Sequence, residues 1–129
     1  MDVKSREEII KFAQKLNSTN LSPLRSGNIS LKAQNNNEEG FLITPSGKKY
    51  DSLKADDIVF VSLEGRYDEK GLQPSSEWRF HKDIYLKKAD AKAVVHAHSP
   101  HATAVSAHNE DIPAFHYMIA LAGGDNIKC

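Results

Sequence analysis

The residues with the clearest capacity for chemistry stand in Val94-Val95-His96-Ala97-His98-Ser99-Pro100. A strand sends alternate side chains to opposite faces, so His96 and His98 point the same way, about 7 Å apart along an extended chain. Two neutral imidazoles on one face can converge on a single cation, and zinc takes such ligands readily. Pro100 brings no backbone donor and tends to end the ladder. The pair therefore sits near a strand end, where a sheet can open a site. A bare His-x-His is more often two half-buried structural histidines, so the reading turns on what can join it. A catalytic zinc usually has three protein ligands and an open position. Glu77, at the start of a predicted helix, is the acidic residue best placed to face the strand end. Beside a Lewis acid a glutamate can alternate between ligand and general base, although alone it reads as a helix-start charge. A second route pairs Glu77 with His81, one helical turn on. It ranks lower because it needs an assumption about helix direction.

A second group of residues suits an anion. Gly27-Asn28, Ser46-Gly47 and Ser75-Ser76 are small-residue pairs at turns or helix starts. Such positions expose backbone N–H groups, and the side chains add hydroxyl or amide donors. Together they suit a phosphate; singly each is ordinary turn chemistry. Tyr117, in Phe115-His116-Tyr117-Met118, is a further proton donor by residue type, although an aromatic there is more often core.

The elements that must position these groups follow from local patterns. Ser5-Arg6-Glu7-Glu8 has the form of a capping box with Ser5 as N-cap. Ile9, Phe12, Ala13 and Leu16 then make an apolar stripe at helical spacing, ending near Asn17. Ile29–Lys32 reads as a strand, Gln34–Gly40 as a hairpin-like turn and Gly40–Ile43 as the partner strand. Asp51–Asp57 resembles a helical turn before the β-branched run Ile58–Leu63. Glu64-Gly65 and Asp68–Gly71 punctuate a further hairpin or loop. A helix is predicted from Pro74-Ser75-Ser76-Glu77 to about Lys88, with Glu77, His81, Ile84, Tyr85 and Lys88 on one face. Ala91–His98 is predicted as the central strand. Ser99-Pro100 starts a helix through about His108. Tyr117–Ala122 is helical in pattern and Gly123-Gly124 ends it. The order suggests one α/β domain, a sandwich with a mostly antiparallel sheet.

Composition narrows the partners. The 129-residue chain carries 17 Lys+Arg against 17 Asp+Glu. That balance gives no electrostatic case for nucleic acid or for a membrane surface. Cys129 is the one cysteine, so no intramolecular disulfide forms, as suits a reducing compartment. The first residues hold charges and no continuous apolar run. A cytoplasmic location is the expectation.

Several stretches, taken in order, resemble the class II aldolase/adducin N-terminal family. They are Ser26-Gly27-Asn28-Ile29-Ser30, Leu42-Ile43-Thr44-Pro45-Ser46-Gly47, Pro74-Ser75-Ser76-Glu77-Trp78-Arg79-Phe80-His81, Ala93-Val94-Val95-His96-Ala97-His98 and Ile112-Pro113-Ala114-Phe115-His116-Tyr117-Met118-Ile119-Ala120, with Ala122-Gly123-Gly124. The resemblance implies a three-layer α/β/α sandwich spanning 1–129. It implies His96 and His98 as two of three zinc histidines, and Glu77 as acid/base and as a ligand when substrate is absent. Gly27, Asn28, Ser46, Gly47, Ser75 and Ser76 match the family's phosphate pocket, and Tyr117 matches a tyrosine serving the aldehyde side. The implied reaction is reversible retro-aldol cleavage of a ketose 1-phosphate, of the L-fuculose 1-phosphate type, to dihydroxyacetone phosphate and an aldehyde. A homotetramer is implied too. Family members run on past the point matching Cys129, and the third zinc histidine lies in that part. Two alternatives stay open: a methylthioribulose-1-phosphate dehydratase-like enzyme, and a non-catalytic interaction module like the adducin head or an inactive remnant.

Overall fold

The computed structural model describes residues 3–129. These fall into two compact units that divide between Ala97 and His98. The first unit is built on a four-stranded antiparallel sheet in the order β3-β2-β1-β4. Its strands are β1 (Asn28–Asn35), β2 (Glu38–Ile43), β3 (Val59–Ser62) and β4 (Ala93–His96). Helix α1 (Val3–Ser18) covers one face and α2 (Trp78–Lys87) covers the other, which makes three layers. The mixed α/β class and the antiparallel sheet agree with the expectation from sequence.

Strand alternation sorts the core into two clusters. Ile29 and Leu42 meet Ile9, Ala13 and Leu16 of α1, with Tyr50, Leu53 and Ile58 closing that side. Phe41, Ile43, Val59 and Val61 face the other way and meet Tyr85 of α2, whose ring lies 5.3 Å from that of Phe41. The β1–β2 hairpin turns on two residues, Asn36 and Asn37, at φ +48° and +65°. Both central residues of a type I′ turn need positive φ, and asparagine tolerates it better than other side chains with a Cβ. Gly40 is required by a close approach instead: a Cβ there would lie 2.3 Å from the Val61 carbonyl oxygen and 2.6 Å from the Phe60 ring.

Four local expectations need correction. Helix α1 is already formed at Val3, so Ser5 lies inside it and is not the N-cap. Buried Arg6 ties that first turn down by donating from Nη1 to the carbonyls of Ile58 (2.5 Å) and Ala55 (2.9 Å); this long-range anchor outweighs a local cap pattern. Phe12, expected in the stripe, is 42% exposed. The second helix begins at Trp78 with Glu77 as its N-cap, three residues after the serines begin. Strand β4 is an edge strand, paired with β1 alone among the described residues, and it ends at His96. Of the hairpin or loop expected after β3, the described residues form the loop, and β3 pairs with β2. Asp51–Asp57 is resolved into two 3-10 turns, Tyr50–Ser52 and Ala55–Asp57.

The second unit holds α3 (Pro100–Ala107), with Ser99 as N-cap, and a 3-10 segment, Tyr117–Ala122. Gly123 ends that segment in the left-handed region at φ +90°, as its position predicts. Ile112 and Ile127 form a two-residue bridge, and Asp111 accepts from Lys128 Nζ and from the Cys129 backbone. Among the described residues no helix is long and apolar enough to cross a membrane. Phe41 is fully buried at the centre of the α2-side cluster. Phe41→Ala is expected to cost about 3–5 kcal/mol, read as a lower urea midpoint with the m-value unchanged.

Candidate active site

Register places the chemistry. Asn28 pairs with His96 and Ser30 with Val94, so Asn28, Ser30 and His96 share the face that α2 covers. From α2, Glu77, His81 and Tyr85 return at four-residue spacing, one side of a helix. The two rows interlock. Asn28 Nδ2 donates to Glu77 Oε2 at 2.5 Å, and Asn28 Oδ1 lies 2.5 Å from His81 Nε2. Ser30 Oγ lies 2.7 Å from His81 Nδ1 and 2.8 Å from the Tyr85 hydroxyl.

At the open end of this row lies a candidate ligand set. Glu77 Oε2 is 3.3 Å from His96 Nε2, and Phe80 meets His96 edge-on at 5.2 Å. Glu77, His96 and His98 each offer one donor atom, all within 4.8 Å of one another. The strand stops at His96, so His98 reaches the group from just beyond the ladder and not by strict alternation. Two imidazole nitrogens and a carboxylate oxygen at that spacing are a donor set that fits a divalent metal such as zinc.

Three turns gather in the same unit. Pro45 bridges Pro74, with Ser46 N donating to Gln73 O (2.9 Å) and Ser75 N to Thr44 O (3.0 Å). This brings Ser46-Gly47 beside Ser75-Ser76. Arg25 Nη1 donates to Gly47 O at 2.6 Å, drawing in the Gly27-Asn28 turn. Gly27, at φ +82°, can be only glycine: a Cβ would meet Ser22 Oγ at 2.6 Å and His96 O at 2.7 Å. Ser46, Gly47 and Ser76 are exposed, whereas Ser75 is buried and its Oγ accepts from Glu77 N at 3.4 Å. Asn28, expected as an anion donor, has its amide engaged by Glu77 and His81, which leaves one Nδ2 hydrogen. Tyr117 belongs to the second unit, where its ring is 79% exposed and lies against His116.

Tyr50 went unrecognised in the sequence, and His81, read there as a second-route metal partner of Glu77, lies instead against Asn28 and Ser30, outside the Glu77, His96 and His98 group. Tyr50 donates its hydroxyl to Gly27 O at 2.5 Å and pins the turn. Burial, and then the Glu77 charge, push its pKa up to about 12. His81 is fully buried; burial, reinforced by nearby His96, pushes its pKa down to about 4. Its spacing from Glu77 was visible, but its partners on β1 were not. Because the folded ring resists a proton that the unfolded chain accepts near pH 6.5, this contribution to stability is complete above 6.5. It declines as pH falls and is gone below about 4. The expected loss is about 3 kcal/mol, measured by urea unfolding from pH 7 to 4. His81→Gln should flatten that part of the profile.

The Class II Aldolase and Adducin N-terminal domain family matches residues 7–129. L-fuculose phosphate aldolase of Escherichia coli (strain K12) is 45% identical over 126 residues, 98% of this chain and 56% of that protein. A 5-methylthioribulose-1-phosphate/5-deoxyribulose-1-phosphate aldolase of Rhodospirillum rubrum is 42% identical over 123 residues, 95% of this chain and 53% of that protein. A solved L-fuculose 1-phosphate aldolase superposes with a TM-score of 0.86 at 35% identity, covering 99% of this chain and 59% of that one. This chain thus spans little more than half the length of the relatives it matches. All three are named as aldolases, which favours neither the dehydratase nor the interaction-module alternative. With a family match over nearly its whole length, the chain belongs to the class II aldolase/adducin N-terminal family.

Proposed function

We propose that the chain is the site-bearing part of a metal-dependent aldolase that cleaves a ketose 1-phosphate, of the L-fuculose or 5-deoxyribulose 1-phosphate kind, to dihydroxyacetone phosphate and an aldehyde. The observation that carries this is the convergence of Glu77, His96 and His98 within 4.8 Å. His96, His98 and Glu77 would hold zinc, with Glu77 released when substrate enters. When bound, the metal supplies Lewis acidity that draws developing negative charge onto oxygen.

The remaining work falls to the chain. Backbone N–H groups of Gly27, Gly47 and Ser76, the hydroxyls of Ser46, Ser75 and Ser76, and the spare Asn28 amide hydrogen bind and orient the phosphate. Cleavage breaks the bond between C3 and C4 of the ketose; the C4 hydroxyl gives up a proton and C3 gains one. Glu77 delivers the proton to C3, and in the reverse direction removes it. In the condensation direction Tyr117 donates a proton to the aldehyde oxygen, and in cleavage that transfer runs in reverse. The family likeness also supports reading 1–129 as one domain, a homotetrameric assembly and, with the cysteine content, a cytoplasmic location.

Purified protein is expected to bind zinc stoichiometrically and to release dihydroxyacetone phosphate from L-fuculose 1-phosphate. His96→Ala should lose tight zinc binding. Glu77→Gln should lower turnover by about 10²-fold or more, within the range for a positioned acid/base, while binding of a phosphate-bearing inhibitor survives. Zinc content unchanged in His96→Ala, or equal loss of inhibitor binding and turnover in Glu77→Gln, would overturn these assignments.

A further inference from the structure

We propose that His81 is a positioning residue for Glu77: by donating its Nε2 hydrogen to Asn28 Oδ1, it locks the Asn28 amide in the orientation that offers Glu77 a donor. This rests on the reading of Glu77 as the acid/base. Donor counting forces the direction. The Asn28 side chain sits between Glu77 Oε2 and His81 Nε2, each 2.5 Å away. A carboxylate only accepts, and an amide has one donating end and one accepting end. The NH2 group must therefore face Glu77 and Oδ1 must face His81, whose Nε2 must carry the hydrogen. The ring is completely buried, so a second proton is disfavoured and Nδ1 keeps its lone pair. Ser30 then donates into Nδ1, and its Oγ accepts from the Tyr85 hydroxyl. Donation runs one way, from Tyr85 through Ser30, His81 and Asn28 to Glu77.

The direction matters at the carboxylate. Should the His81 hydrogen move to Nδ1, the Asn28 amide gains by turning its NH2 to the ring. Its oxygen would then face Glu77 Oε2. The carboxylate would lose its hydrogen-bond donor and acquire a repulsive neighbour. His81 thus sets the orientation of the groups that hold Glu77 without touching substrate.

The test is heteronuclear NMR of the uniformly 15N-labelled chain, with His81→Gln and His81→Phe alongside. Glutamine can present an N–H to Asn28 and an oxygen to Ser30; phenylalanine can do neither. The expected result is a hydrogen on His81 Nε2 and an unprotonated Nδ1. One Asn28 amide hydrogen should be shifted downfield by Glu77 in the parent and in His81→Gln, and lose that shift in His81→Phe. In steady-state kinetics His81→Phe should lower kcat about tenfold or more with KM unchanged, and His81→Gln should recover it. A hydrogen on Nδ1, or an Asn28 shift intact in His81→Phe, overturns the proposal. If His81→Phe fails to fold, the parent tautomer and His81→Gln decide. These resonances are read without turnover. A Glu77→Gln protein that stays active would remove the acid/base reading and leave the His81 lock standing.

Discussion

The buried polar row between α2 and β1 is the constraint on which the site depends. Two rows of different period have to stay in step across it. Four helical residues rise about 6 Å and two strand residues about 6.7 Å, so Glu77, His81 and Tyr85 remain level with Asn28 and Ser30. Hydrogen bonds at 2.5–2.8 Å join them throughout. Buried polar groups left unpaired are costly, so the register of α2 on the sheet is set by satisfying this row. A slide by one turn would strand Ser30 and His81 without partners. Glu77 stands at the open end of the row, and its place beside His96 follows from the same register.

Around that row the remaining parts are held by tertiary ties. Tyr50 and Arg25 gather the turns at Gly27 and Gly47. The Pro45–Pro74 bridge sets the third turn against the second. Each of the small-residue pairs is ordinary alone; the backbone bonds from Ser46 to Gln73 and from Ser75 to Thr44 turn two of them into neighbours. Apolar packing on both sheet faces supplies the rigid background, with Phe41, Ile43 and Val61 fully buried.

Much of this was legible residue by residue. The β-branched run Ile58–Leu63 marked β3, and the asparagine-rich tract Gln34–Gly40 marked the hairpin before β2. Glu77, His81 and Tyr85 on one helical face were readable from four-residue spacing, and the His96/His98 pair from the two-residue repeat. What stayed hidden depends on partners distant in sequence. Ala93-Val94-Val95-His96 says nothing of how many strands flank it, so β4 was expected at the centre of the sheet and lies at its edge among the described residues. Ser30 looks like a surface serine until Ile29 and Leu31 fix the opposite face. Arg6 was counted as a charge and is buried on two carbonyls 49 and 52 residues away. The ligand roles proposed for His96, His98 and Glu77 came from pattern and family likeness together, and their closeness needed the fold.

On the proposed reading, a carboxylate from the start of α2, the imidazole of His96 at the end of β4 and that of His98 just beyond it bind one cation together. X-ray absorption spectroscopy of the zinc-loaded protein tests it most directly. A mixed nitrogen and oxygen coordination sphere near 2.0–2.2 Å is expected, with the outer scattering of two imidazoles that falls to one in His98→Ala. A coordination sphere without imidazole scattering, or one unaltered in His98→Ala, would contradict it.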